Sequence, residues 1–217
     1  MQPPRNRDAA GTAMIGVLGG TFDPVHYGHL RTALDVQQLL GLEQVRLIPL
    51  RDPPHRPQPA LAPADRLALL HAAVDDNPRF RIDPRELERS GKSYTLDTLQ
   101  SLRAEQPHTT FCLLLGGDAF HGFPHWHRPD DILELAHLVV MQRPGEPDPQ
   151  HYPDRITHDP AALKRQTAGL ILPLPVTQLE ISATRIRELL RQGHSPRYLL
   201  PDAALELIQQ RRYYQAG

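Results

Sequence analysis

MIGVLGGTFDPVHYGHL, residues 14–30, joins an apolar run to two glycines, a proline turn and two histidines three positions apart. Met14 to Gly20 reads as a buried strand, because the apolar run is short and stopped by glycine. From about Tyr27 to Leu40, the positions Leu30, Ala33, Leu34 and Leu40 recur at helical spacing, and Gly41 ends the run. Gly19 and Gly20 put bare amides at the carboxyl end of the strand, where backbone can approach a ligand closely. Asp23-Pro24 favours a turn into the helix. On its first turn His26 and His29 share a face. A helix N-terminus offers unpaired N–H groups and a positive dipole end, so anions settle there. Two solvated histidines would be the ordinary reading of such a pair. Their place in the turn where an α/β fold seats its ligand favours a grip on phosphate oxygens instead.

The rest of the chain repeats the strand–helix alternation. Strands are expected at 44–50, 79–83, 109–118, 136–145 and 169–175. Helices are expected at 64–74, 93–106, 182–193 and 201–212, with Ser93 or Thr95 placed to cap the second of these. Residues 144–168 are rich in Pro, Asp and His with weak periodicity and form a variable excursion. This order implies an α/β fold, a doubly wound, mostly parallel sheet with helices on both faces and a C-terminal helical extension. Such sheets bind ligands beyond the carboxyl ends of their strands, where strand order reverses. Gly116-Gly117 ends the most apolar strand as Gly19-Gly20 ends the first. If those two strands are neighbours, one cleft collects both glycine turns.

Composition narrows the classes. With 217 residues the chain suits one domain over 14–217, preceded by a flexible tail at 1–13. The net charge of −1 gives no reason to expect nucleic acid or an anionic membrane as partner. No apolar stretch approaches the roughly 18 residues that span a bilayer, and the first residues lack the apolar core of a secretory signal. A cytoplasmic location is expected. The single cysteine, Cys112, lies in an apolar run and reads as a small buried hydrophobe. His121, His125 and His127 lie close in sequence, but Pro124 breaks the segment and no cysteine is near, which argues against a zinc site.

GGTFDPVHYGHL resembles the (T/H)xGH-type signature of the nucleotidyltransferase superfamily, and ISATRIR, residues 181–187, is similar to its ISxTxIR segment. PPHRP (53–57), SYTLDTL (93–99), LLGGDAF (114–120) and FPHW (123–126) narrow the resemblance to the bacterial nicotinate-nucleotide adenylyltransferases, from about Met14 to Leu207. That resemblance implies transfer of AMP from ATP to nicotinate mononucleotide, giving nicotinic acid adenine dinucleotide and pyrophosphate in NAD biosynthesis, with Mg²⁺ carried on the ATP phosphates. It implies catalytic roles for His26, His29 and Arg187. ATP contacts are implied for Gly19, Gly20, Thr21 and Phe22 in the first signature, and for Gly116 and Asp118 after the fourth strand. Ile181, Ser182, Thr184 and Arg187 would add the second signature. Asp118 would meet the adenosine ribose or the Mg²⁺ shell.

The mononucleotide would meet His55 and Arg56 in the proline-rich loop; family members often carry Lys where Arg56 stands. Amides around Tyr94 and Thr95 would take the nicotinate carboxylate, and Trp126 would stack on its ring. The residues can perform this chemistry without a general base, because a phosphate monoester is mostly ionised near neutral pH. What remains is to place two anions in line and offset the charge that moves between them. Ser182 or Thr184 can cap a helix holding the β- and γ-phosphates. Two rivals stay open: an adenylyltransferase for another acceptor, such as nicotinamide mononucleotide or phosphopantetheine, and a nucleotide-binding regulator without turnover.

Overall fold

Successive residues within the strands are apolar on both sides of the chain, as a parallel sheet covered by helices on two faces requires. The computed structural model describes residues 13–52 and 58–215. Six strands, β1 (Met14–Gly20), β2 (Gln44–Pro49), β3 (Phe80–Ile82), β4 (Thr110–Gly116), β5 (His137–Gln142) and β6 (Ile171–Pro175), form one parallel sheet in the order β3-β2-β1-β4-β5-β6. Strand order reverses between β1 and β4, so the two glycine-ended strands are neighbours at the switch point and the condition for one shared cleft is met. Their pairing runs from Met14↔Thr110 to Val17↔Leu113. The same offset sets Gly20 level with Gly116.

The pleat sorts the side chains. Leu18, Cys112, Leu114, Val139, Met141, Leu172 and Leu174 face one cluster, which α1 (Tyr27–Leu40) and α2 (Pro63–Val74) cover. Ile15, Val17, Phe111, Leu113, Leu115, Leu138, Val140 and Ile171 face the other, covered by α4 (Thr95–Glu105) and α6 (Pro129–Leu135). A third cluster packs α7 (Ala183–Arg191) and α8 (Asp202–Gln210) against Leu69 of α2. Cys112 is buried in the sheet, and burial pushes its thiol up to about 12, a pKa at which it is an inert hydrophobe at neutral pH.

Several expectations need adjusting. Helix α4 begins at Thr95 with Tyr94 as its N-cap residue, and no side chain caps it. Ser93, a proposed cap, instead accepts the amides of Arg51 (3.0 Å) and Asp52 (3.4 Å), tying this turn to the segment after β2. Three short helices have no counterpart in the sequence reading: α3 (Arg85–Glu88), α5 (Gly117–His121) and α6. Periodicity is weak over four to seven residues. For α6, however, Pro129 and the acidic pair Asp130-Asp131 in its first turn were an available start signal.

The excursion over 144–168 holds two 3₁₀ turns, Pro153–Arg155 and Pro160–Lys164. His137 of β5 pins it. Its buried ring meets the carbonyls of Leu163 (3.2 Å) and Gln166 (3.0 Å) at Nε2, and Nδ1 accepts the amide of Leu170 (3.1 Å). Residues 1–12 of the expected tail lie outside the described residues, while Ala13 is already tied to the sheet through its carbonyl and the Thr110 amide, at 3.0 Å.

Candidate active site

All six strands run the same way, so every strand-to-helix turn after them opens at one edge of the sheet. The turn after β1 is the most constrained. Phe22 takes a left-handed backbone, φ 48°, which side-chain-bearing residues rarely adopt and which clusters at functional turns. Its ring folds back over Gly20, where a Cβ would lie 2.8 Å from it, so any side chain at position 20 would displace the ring. Asp23-Pro24 is a cis peptide, and Asp23 is buried at 5% exposure.

His26 is the N-cap residue of α1, with extended backbone, and thus stands one step before the helical turn expected for it. The two imidazoles nevertheless converge: their rings stack at 3.7 Å and 26°, and the Phe22 ring meets His29 edge-on at 5.2 Å. Burial pushes His26 down to about 4, so its imidazole is neutral near pH 7. Its Nδ1 is buried and, among the described residues, bonds to nothing. An unsatisfied polar atom in such a turn marks a place for a ligand. Of the α1 amides, that of Tyr27 is consumed by the Leu199 carbonyl at 3.0 Å, so it is lost to a phosphate.

The second signature arrives at the same turn. Ser182 caps α7 by accepting the Arg185 amide at 3.2 Å, which settles the choice between Ser182 and Thr184. The amides of Ala183 and Thr184 therefore open the helix without intrahelical partners. The Ile181 carbonyl lies 3.3 Å from where a Cβ on Gly28 would stand, and His26 Nδ1 lies 2.9 Å from that same point. Gly28 thus lets α1, the histidine ring and the Ile181–Ser182 segment meet. Gly28→Ala is expected to lower stability by about 1–3 kcal/mol through overpacking, and to lower activity by displacing the His26 ring. A thermal melt and a pyrophosphate-release assay on the same sample check both.

Arg187 joins the two signatures directly. Its guanidinium donates to the Asp23 carbonyl (Nη1, 2.7 Å) and to Thr184 Oγ1 (Nη2, 3.3 Å), with the Asp23 carboxylate 3.9 Å away. The fork is therefore anchored as well as charged. Arg185, by contrast, points to an exposed pair with Glu188.

Across the switch point, Gly116 is the N-cap residue of α5, and Asp118 is exposed in its first turn. Beyond it, Trp126 packs half-buried against Phe123, ring centroids 5.6 Å apart. His127 lies on Tyr94 at 4.6 Å, which joins the turn after β4 to the start of α4. Tyr94, Thr95 and Trp126 thus gather on neighbouring turns. His55 and Arg56 lie outside the described residues.

Residues the sequence reading left out complete the turn. Arg66, at the end of the first turn of α2 and wholly buried, donates to the Thr21 carbonyl at 2.6 Å. Burial lowers its pKa and the nearby Asp23 carboxylate opposes that fall. Asp23 itself accepts the Ala60 amide (2.6 Å) and the Tyr214 hydroxyl (2.7 Å). Asp23 and Pro24 were visible as a turn. Nothing local marked Arg66 or Tyr214 as its supports.

Residues 17–189 match a family model described as cytidylyltransferase-like. A Methylococcus capsulatus protein described as a "Probable nicotinate-nucleotide adenylyltransferase" is 49% identical over 208 residues, covering 93% of this chain and 99% of its own. One from Aeromonas salmonicida with the same description is 47% identical over 213 residues, covering 94% and 98%. In fold the chain is similar to Plasmodium falciparum nicotinic acid mononucleotide adenylyltransferase complexed with NaAD, with a TM-score of 0.71 at 16% identity, covering 93% of this chain and 97% of that one. With the two signatures meeting at one turn and near-full-length relatives at this identity, the chain belongs to the nicotinate-nucleotide adenylyltransferase family.

Proposed function

We propose that the protein transfers the AMP moiety of ATP to nicotinate mononucleotide, releasing pyrophosphate. The observation that carries this reading is the stacked His26–His29 pair on a turn whose Asp23 carbonyl is held by Arg187. A phosphate oxygen of the mononucleotide attacks the α-phosphorus in line. The bond from that phosphorus to the bridging oxygen breaks, and pyrophosphate leaves with the electron pair. The attacking phosphate is already ionised, so no proton must be removed first. His26, His29 and Arg187 serve by offsetting charge on the α-phosphate and the leaving group.

The turns divide the substrates. Gly19, Gly20, Thr21, Phe22, Gly116 and the Ile181–Thr184 segment take ATP. The Tyr94–Thr95 turn and Trp126, with His55 and Arg56, take the mononucleotide. A carboxylate gains from the helix-start amides of α4, whereas a carboxamide NH₂ would meet them donor to donor. Mg²⁺ carried on the ATP phosphates would supply positive charge that offsets theirs. Asp118, an exposed hard-oxygen donor after β4, suits its water shell or the adenosine ribose. No helix among the described residues is long and apolar enough to cross a membrane. A cytoplasmic setting fits an enzyme drawing on ATP.

The test is direct. Purified protein with ATP, Mg²⁺ and nicotinate mononucleotide should yield the dinucleotide and pyrophosphate, with kcat/KM at least about tenfold above that for nicotinamide mononucleotide, a difference worth about 1.4 kcal/mol. The pH–rate profile should show no ionisation of a catalytic base. A preference for the carboxamide, or for phosphopantetheine, would overturn the reading of the α4 start. ATP binding without product from any acceptor would instead favour a non-catalytic regulator.

A further inference from the structure

The segment following α8 returns to the active-site turn, although it is far from it in sequence. Tyr214 donates its hydroxyl to Asp23 Oδ1 at 2.7 Å, and Asp23 Oδ2 accepts the Ala60 amide at 2.6 Å. The backbone carbonyl of the same Asp23 receives Arg187 at 2.7 Å. One buried residue therefore links the first signature, the segment before α2, the second signature and the last segment of the chain described. From below, Arg66 holds the Thr21 carbonyl.

We propose that Tyr214 is a positioning residue for the transfer reaction: its hydroxyl locks the Asp23 carboxylate, and through it the turn that carries His26 and the carbonyl on which Arg187 docks. The proposal rests on the functional reading above.

Three observations support it. Arg212 and Tyr214 both hold left-handed backbone, φ 53° and 61°, a conformation that persists where surrounding contacts impose it. Those contacts are present. Arg211 and the Tyr213 hydroxyl both bond Asp65, in the first turn of α2, and Tyr214 passes on to Asp23. Burial and the adjacent carboxylate also push the Tyr214 hydroxyl far above the usual tyrosine range, so it stays a donor at every working pH. Asp23 gains from that donor because it is a buried charge, and a buried carboxylate is held in place by the bonds that satisfy it. Two bonds come from separate segments. Removing the Tyr214 bond leaves the Asp23 carboxylate held by the Ala60 amide alone, with Arg187 3.9 Å away, while the backbone carbonyls of the turn keep Arg187 and Arg66.

Tyr214→Phe deletes only the oxygen and keeps the ring. Tyr213→Phe is the matched control: its hydroxyl bonds Asp65, a tie that Arg211 also makes and keeps in this variant, and it touches none of the site residues. The expected result is a fall in kcat of about tenfold for Tyr214→Phe, with both KM values within about twofold, since misplacing catalytic groups costs turnover more than ground-state binding. Tyr213→Phe should keep kcat within about twofold of the parent while shifting the melting temperature comparably. Without substrates, hydrogen exchange of the amides in residues 21–26 should quicken in Tyr214→Phe and stay unchanged in Tyr213→Phe. Equal kcat for Tyr214→Phe and parent, or equal losses in the two variants, would overturn the proposal, as would unaltered exchange over 21–26. If the parent itself makes no dinucleotide, the assigned reaction fails. The exchange comparison, which needs no substrate, then decides the Tyr214 latch by the same criterion.

Discussion

His29→Ala is expected to lower kcat for dinucleotide formation by about 10²–10³-fold while weakening ATP binding by less than about tenfold. The reason lies in when the charge appears. The α-phosphate and the departing pyrophosphate gain negative charge only as the in-line displacement proceeds, so a donor aimed there acts mainly on the transition state. The stacking of His29 on His26 at 3.7 Å and its edge contact with Phe22 fix where the ring points before substrate arrives. Fixed donors need no reorganisation at the moment of reaction, which is what makes them effective. Steady-state kinetics with calorimetry of ATP binding separates the two effects. A variant that lost affinity and turnover in the same proportion would show that His29 merely holds the ground state.

Arg187→Ala should be nearly as damaging, with a loss in kcat of about 10²-fold or more, and Arg187→Lys should recover little of it. The guanidinium bonds the Asp23 carbonyl and Thr184 Oγ1 with separate nitrogens. An ammonium on a flexible stem can replace the charge but not that two-pronged geometry. The alanine variant also removes the direct tie between the two signatures, so the turn at Asp23 loses one of its anchors. Kinetics of both variants, with a melting curve to confirm that each remains folded, distinguish charge from geometry. Full recovery by lysine would show that only the positive charge matters.

Much of this was legible before any coordinates. The strand–glycine–helix pattern over 14–40, the continuous apolar run within 109–118 and the strand expected at 136–145 are local signals. Periodicity and glycine placement report them directly. The same signals direct attention to the place of the candidate site, because a parallel α/β sheet opens its ligand cleft where strand order reverses. Short elements were less legible. Helices α3, α5 and α6 span too few turns for periodicity to appear, and the cap of α4 failed because Ser93 bonds the backbone after β2 instead of its own helix.

What the sequence by itself determined is the alternation of strands and helices, the two signatures and the family they belong to. It also pointed to the chemical kind of ligand, since glycine turns, imidazoles and a capped helix with guanidinium partners all answer to phosphate. Only the tertiary structure decided which groups hold those residues in place. Arg66, Ala60 and Tyr214 reach the turn at 21–23 from distant parts of the chain. A hydrogen bond to a buried carboxylate or carbonyl depends on where the folded backbone brings its donor. No local propensity or spacing encodes that meeting, so a tyrosine 191 positions from its partner stays silent until the chain is folded.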